Sequence, residues 1–213
     1  MEAIRIDKRY DADAWVDAAP SRRPVLLRTR PLELPLGERT LHTPALHLDS
    51  RDHVALVGDN GTGKTTLVGA LLGHLPQDTT RLYVPQEPDR ATRQATLARL
   101  AGLGTERRGR VLSIVARLNS SPERVLEGEE VSPGEMRKLM LALGVLDRPE
   151  LIVMDEPTNH LDVGSIRALE AMLAAFPGAL LLVSHDAALV EATTSITWRI
   201  RRQDTGELWL AVE

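Results

Sequence analysis

Two segments of the chain carry residue types that do phosphate chemistry. The first is Gly58-Asp59-Asn60-Gly61-Thr62-Gly63-Lys64-Thr65, followed by Thr66, and it fits G-x-x-x-x-G-K-[ST] at every position. Average residue usage yields such a match in about one chain of this length in a hundred, so the match is evidence rather than noise. Its glycines let the backbone curl until successive N–H groups face inward. A helix starting near Lys64 adds the positive end of its dipole. Asn60, Gly61, Thr62, Gly63, Lys64, Thr65 and Thr66 are therefore the expected nucleotide-binding set, with Lys64 on the β- and γ-phosphates and Thr65 on Mg²⁺. The bland alternative is a Gly-rich turn that only starts a helix. An apolar strand before the motif and an amphipathic helix after it argue against that.

The second segment is the apolar run Leu151-Ile152-Val153-Met154, which ends in Asp155-Glu156. Carboxylates at the C-terminal end of a parallel strand face the ligand crevice. Asp155 is expected to hold Mg²⁺ through water, and Glu156 to take a proton from an attacking water. Successive strand residues point to opposite faces, so the two need not share a role. Alone, a solvated acidic turn explains the pair equally well; beside a phosphate loop it does not.

These residues need a scaffold, and the pattern supplies one. Residues 54–57 form a short apolar run that reads as a buried strand, and leucines at helical spacing follow over 64–75. Strands are expected at 81–84, 151–154 and 180–183, and helices at 136–146, 163–176 and 187–192. Alternating Leu32, Leu34 and Leu36, then Leu46 and Leu48, read as strands. The chain closes with strands at 196–201 and 208–212, joined as a hairpin through Asp204-Thr205-Gly206. Strands alternating with helices imply an α/β fold with a mainly parallel sheet covered on both faces. An antiparallel β portion is expected near the N-terminal region. Residues 88–131 are Arg- and Ala-rich with helical periodicity and read as a small inserted helical subdomain. Residues 1–24 mix charges without a clear period and read as a tail; the alternative is a short helix over 11–19 that packs Trp15 on the body.

Bulk properties exclude several classes. With 213 residues, 43% of them apolar and 26% charged, the chain is neither disordered nor fibrous. No apolar run approaches the ~20 residues of a bilayer-spanning helix. The formal net charge is -4, so bulk charge gives no support for nucleic-acid binding. Three Trp, two Tyr and one Phe are too few for a base-stacking platform. The absence of cysteine removes disulfides and thiolate metal sites and fits a reducing compartment. No Asp, Glu or His spacing suits a zinc site. Arg107-Arg108-Arg110 and Arg199-Arg201-Arg202 read first as solvated faces, with contact to RNA as the alternative.

Further segments fall into a known order. Gln86 follows the strand at 81–84, Ser132-Pro133-Gly134-Glu135 precedes a helix, Glu156-Pro157-Thr158-Asn159-His160-Leu161-Asp162 follows the acidic strand, and Ser184-His185-Asp186 follows the last apolar strand. With the phosphate loop, this series resembles the ATP-binding cassette (ABC) ATPases over roughly residues 30–200. The wording at 156–162 resembles their ABC-F group, whose members lack membrane domains and act on ribosomes. Ser-Pro-Gly-Glu is similar to the second cassette of antibiotic-resistance members.

That resemblance implies a P-loop NTPase core with ATP and Mg²⁺ as ligands. It implies that Gln86 touches Mg²⁺ and the lytic water, and that His185 touches the γ-phosphate. It assigns Ser132, Gly134 and Glu135 to a signature that serves the site of a second cassette in trans, and Asp162 to the junction between cassettes. The same residues 132–135 also read as a plain capping box with Pro at the first helical position. The implied partners are a second cassette and the ribosome, with no membrane domain, in the cytoplasm; one cassette alone would hydrolyse ATP weakly. On this reading residues 1–24 end an inter-cassette linker and 25–213 form the cassette, either excised or half-length. The rival readings are a transporter ATPase subunit, against which the short 87–131 insertion and Asn159-His160 argue, and a nucleotide-sensing module with negligible turnover. One departure stands out: the adenine-stacking aromatic of the family is missing near residues 34–40. Leu36 is expected to supply an apolar contact instead, with poor base selectivity.

Overall fold

The computed structural model describes residues 20–122, 124, 131–204 and 206–213. The residues read as a tail or short helix, including Trp15, fall largely outside this set. An eight-stranded sheet organises the molecule. Its parallel half is built from β5 (His53–Val57), β6 (Arg81–Val84), β7 (Leu151–Asp155), β8 (Ala179–Val183) and β9 (Ile196–Arg202), in the spatial order β9-β5-β8-β7-β6. The other half is β2 (Leu32–Leu36), β3 (Arg39–Thr43) and β10 (Leu208–Val212), which continue the same sheet beyond β9 in the order β2-β3-β10. A separate antiparallel pair joins β1 (Val25–Arg28) to β4 (His47–Asp49).

The antiparallel portion therefore does not belong to the N-terminal region alone. β2 and β3 pair antiparallel and so do β9 and β10, but β3 and β10 run parallel, with Leu41 opposite Leu208. That seam joins the two ends of the chain, so no local pattern could show it. The β9–β10 hairpin forms as expected, closed by Gln203 N–H to Glu207 O at 2.9 Å.

Strict alternation in the central strands explains why both sheet faces are covered. On β8, Leu180 and Leu182 belong to one apolar cluster, while Ala179, Leu181 and Val183 belong to the other. On β7, Ile152 and Met154 separate from Leu151 and Val153 in the same way. One face packs α2 (Arg90–Ala101), α3 (Thr105–Arg117), α4 (Pro133–Val145), α5 (Val163–Ala174) and α6 (Ala187–Thr193). The other packs α1 (Lys64–His74) with β1 and β4. Helix α4 is central: every residue from Met136 to Val145 is buried, with α2 and α3 of the inserted segment against it. A continuous apolar run with period 2 thus fixes which residues reach the C-terminal ends of β5, β7 and β8, and the candidate chemistry lies there.

Candidate active site

The phosphate loop leaves β5 at Val57 and enters α1 at Lys64. Gly61 and Gly63 adopt φ of +74° and +88°, left-handed values that a side chain would strain. A Cβ at Gly63 would also run into the Leu36 side chain. Leu36 thus lies directly on the loop, at the place where the sequence lacks an aromatic. Thr62 closes the loop from beneath, its hydroxyl donating to Asp59 O at 2.7 Å.

Lys64 is held inward, 9% exposed. Its Nζ donates to Gly58 O at 2.6 Å and Asp59 O at 3.1 Å, and lies 3.1 Å from His185 Nε2. Burial pulls its pKa below the usual lysine value, against the opposing pull of Glu156, Asp155 and Asp59. An ammonium resting on neutral carbonyls gains by exchanging them for phosphate oxygens, since hydrogen bonds between ionised groups are about twice as strong.

The acidic strand end sits opposite. Thr65 Oγ1 donates to Asp155 Oδ2 at 3.1 Å, so the first turn of α1 and the end of β7 present two oxygens side by side. Burial pushes the Asp155 carboxyl above the usual range, opposed by the Thr65 hydrogen bond and the Lys64 charge. Oxygen donors of this kind suit Mg²⁺, which takes few protein ligands and leaves positions for phosphate and water. Glu156 follows at φ +47°, a left-handed value that costs a non-glycine residue about 1–3 kcal/mol. Its backbone N–H is anchored on Val183 O at 2.8 Å, and its Oε2 accepts from His185 N–H at 3.4 Å. Oε1 lies 3.3 Å from His185 Nε2 without hydrogen-bond geometry. That ring nitrogen also meets Asn60 Oδ1 at 3.2 Å. Oε1 is thus a buried acceptor with no donor among the described residues. Groups of this kind are rare in native proteins and call for a reason.

Between the loop and the strand end lies a cleft of about 690 Å³. Asn60, Gly61, Gly63, Lys64, Thr65, Thr66, Gln86, Asp155, Glu156 and His185 line it, joined by Leu36 and Asn159. No Phe, Tyr or Trp lines it among the described residues. Trp209, on β10 between β3 and β9, stacks instead on His42, with ring centroids 4.5 Å apart.

The other expected site residues stand apart from the cleft. Ser132 caps α4: Glu135 N–H donates to Ser132 Oγ at 3.2 Å, and Glu135 Oε2 accepts from Ser132 N–H at 2.9 Å. Burial would raise the Glu135 pKa, but the two Ser132 hydrogen bonds, with Arg124 and Lys138, outweigh it and hold it low. Gly134 packs on the turn after β7; a Cβ there would lie 2.9 Å from His160 O. Asp162 caps α5, accepting from Ser165 N–H at 3.0 Å, from the Ser165 hydroxyl at 2.5 Å and from Asn119 Nδ2 at 3.0 Å. The Ser165 hydroxyl, its backbone N–H and Asn119 draw this carboxyl down to about 2.

Two buried cations on α4 went unnoticed in the sequence. Lys138 Nζ donates to Ser165 Oγ at 2.6 Å and Ser120 Oγ at 2.9 Å, backing the Asp162 cap. Arg137 is 2% exposed. The available signal was two adjacent cations inside the otherwise apolar run from Met136 to Val145. As for the basic clusters, Arg199 and Arg201 both pair with Glu213, at 3.0 and 2.8 Å.

A parallel sheet whose phosphate loop and acidic strand end close on one cleft defines a P-loop nucleoside triphosphatase. Comparison with known proteins narrows this class. The family described as ABC transporter matches residues 41–159. "ATP-binding protein Uup" of Caulobacter vibrioides is 34% identical over 89% of the chain and 33% of its own length. "Ribosome protection protein VmlR" of Bacillus subtilis is 32% identical over 75% of the chain and 31% of its own length. "Zinc import ATP-binding protein ZnuC" of Yersinia pestis is 32% identical over 80% of the chain and 74% of its own length. A solved ATP-binding subunit of an ABC transporter superposes with a TM-score of 0.65 at 24% identity, covering 86% of this chain and 88% of that one. The chain belongs to the ATP-binding cassette family, whose members hydrolyse ATP. Uup and VmlR are relatives of the ABC-F type, and the chain spans about a third of each.

Proposed function

We propose that this cassette binds Mg-ATP in the cleft and hydrolyses it by attack of water, pairing with a second cassette to do so. Lys64 and the loop N–H groups hold the phosphates, and Thr65, Asp155 and Gln86 hold Mg²⁺, whose charge offsets that developing on the γ-phosphate. Glu156 accepts the proton of the water through Oε1, and His185 stays close enough to bond the γ-phosphate. The observation that carries this reading is the Glu156 carboxylate, which lines a cleft whose other wall is a phosphate loop and keeps a buried Oε1 without a donor among the described residues. Ser132 and Gly134 present the start of α4 to the nucleotide of the second cassette, with Glu135 fixing that helix start through the Ser132 N–H. Asp162 lies at the junction. Residues 25–213 act as one cassette.

The output of the cycle is ATP-gated engagement of the ribosome in the cytoplasm, regulating translation or protecting it from antibiotics. Likeness to a ribosome protection protein supports this, and no helix among the described residues is long and apolar enough to cross a membrane. The second reading, the ATPase subunit of a transporter, is favoured by the likeness to ZnuC, which the chain covers over most of its length. Sedimentation separates the two. The chain carrying Glu156→Gln is expected in the ribosomal pellet with ATP and Mg²⁺ but not with ADP, and more so at low salt. Equal pelleting with either nucleotide would contradict ribosomal engagement.

A further inference from the structure

Arg137 is the most expensive side chain in α4. Its guanidinium is buried with no hydrogen-bonded carboxylate among the described residues, Glu87 acting on it only through its charge, and Nε and Nη2 have no acceptor there. Even a buried ion pair is often replaced by apolar residues of similar volume at no loss, or even a gain, of stability, and a cation with unsatisfied donors has less to lose. Something other than stability therefore accounts for it, and its one engaged atom shows what. Nη1 donates to Asn159 O at 2.6 Å, with Glu156 O and Pro157 O at 3.4 and 3.5 Å. All of these carbonyls belong to the turn that leaves β7.

That turn is under strain at both ends. Glu156 sits at φ +47° and His160 at φ +62°, left-handed values that bulky residues avoid unless their surroundings impose them. Two points of α4 do the imposing. Gly134 presses its bare Cα against His160 O, and Arg137 pins the carbonyls between the strained ends. Lys138 does not share the task; it reaches Asn119, Ser120 and Ser165 instead. The helix that touches the turn twice also carries Ser132 at its N-cap. The side chain of Glu156 and the N-terminus of α4 thus belong to one mechanical unit joined through Arg137.

We propose that Arg137 is a positioning residue for hydrolysis, holding the 156–160 turn so that Glu156 keeps its place on the cleft wall and coupling that carboxylate to the helix that carries Ser132. This rests on the reading of Glu156 as the base. Arg137 touches neither nucleotide nor water; it acts through the backbone of the residues it holds. Loss of the pin lets the turn relax toward ordinary backbone angles and moves the carboxylate, and a misplacement of about 1 Å costs about a hundredfold in rate. Phosphate binding, which depends on the far wall of the cleft, is untouched.

Arg137→Met tests this, because methionine fills the volume and removes both the pin and the orphaned donors. Hydrolysis is measured in single turnover with the chain at concentrations where the rate per molecule has reached its plateau. The expected result is an unchanged or raised melting temperature and a Mg-ATP dissociation constant within about threefold of wild type, with turnover down about a hundredfold. In a Glu156→Gln background the same substitution should slow turnover by less than about threefold, because the group it positions is already gone. Arg137→Lys keeps one donor and should recover about tenfold over the methionine variant. A purely structural role predicts the opposite pattern: a lower melting temperature and an equal further loss in both backgrounds. If Arg137→Met does not fold, Arg137→Lys decides, with slowed turnover at unchanged affinity supporting the proposal and wild-type turnover overturning it. Wild-type turnover in Glu156→Gln alone would overturn the base reading itself. Slow Glu156→Gln beside fast Arg137→Met would overturn only the role of Arg137.

Discussion

The cleft wall and the α4 N-terminus are built on opposite principles. Around the cleft the charged groups are buried among neutral or missing partners: Glu156 Oε1 has no donor among the described residues, and Lys64 rests on the carbonyls of its own loop. At Ser132 and Asp162 the capping side chains find their partners within the chain, in a reciprocal capping box and a three-donor cap. The first arrangement waits for a ligand. The second is a stable helix start that needs nothing further, yet it leaves the dipole end of a helix buried from Met136 onward open for an anion brought by another molecule. On the proposed reading, the half-site that binds nucleotide unaided is the one kept unsatisfied, and the half-site offered to a second molecule is the one kept rigid.

The largest effect expected from this contrast is on the acceptor. Glu156→Gln keeps the shape but removes the proton acceptor, and steady-state turnover should fall by ~10²–10⁴ with Mg-ATP affinity retained in calorimetry. Loss of affinity together with turnover would break the contrast, because Glu156 would then be a ligand rather than a base. Next comes Lys64→Ala, which removes the cation that exchanges carbonyls for phosphate. Charged hydrogen bonds are worth about 1.5–3 kcal/mol each, so titration should show Mg-ATP bound about ten- to a hundredfold more weakly. A smaller effect belongs to Leu36. With an aliphatic side chain where a ring would stack for ~1–3 kcal/mol, competition binding should place ATP and GTP within about tenfold of each other. A strong preference for ATP would mean that another residue covers the base.

The smallest effect concerns the self-satisfied side. The Asp162 carboxyl lies near 2 in the folded chain against 3.8 when free, so its cap contributes fully above 3.8 and is lost as pH falls through about 2. Because Asp162 is exposed, screening keeps the gain below about 1 kcal/mol. Thermal melts at pH 5 and pH 3 should therefore differ slightly less in Asp162→Asn than in wild type. An identical pH dependence would show that the cap carries no weight.

How much of this was legible in the sequence follows the same divide. The phosphate loop and the Asp155-Glu156 pair were readable because each is contiguous, and its chemistry follows from residue types at fixed spacing. Strands β5, β7 and β8 were readable from apolar runs bounded by turns. Ser132 to Glu135 showed only a well-made helix start; nothing local separates that from a site that acts on another molecule, and family resemblance alone suggested more. Arg137 was hidden because a cation inside an apolar helix looks like its solvated face until tertiary packing covers it. The β3–β10 seam was hidden because its strands lie at opposite ends of the chain. Leu36 showed only as a missing ring, and its contact with Gly63 needed the fold.

Complementation between two damaged chains tests most directly whether these two half-sites belong to one reaction. Glu156→Gln destroys the acceptor and leaves the helix start intact. Ser132→Asp keeps an N-cap oxygen but turns a negative charge toward the incoming phosphate, leaving the acceptor intact. Each chain alone should be nearly inactive. An equimolar mixture forms mixed pairs holding one complete site, and should recover about a quarter of wild-type ATP hydrolysis if pairing is random and two-fold. No recovery at any mixing ratio, with both chains folded and binding Mg-ATP, would show that the α4 N-terminus does not complete the cleft of a second molecule.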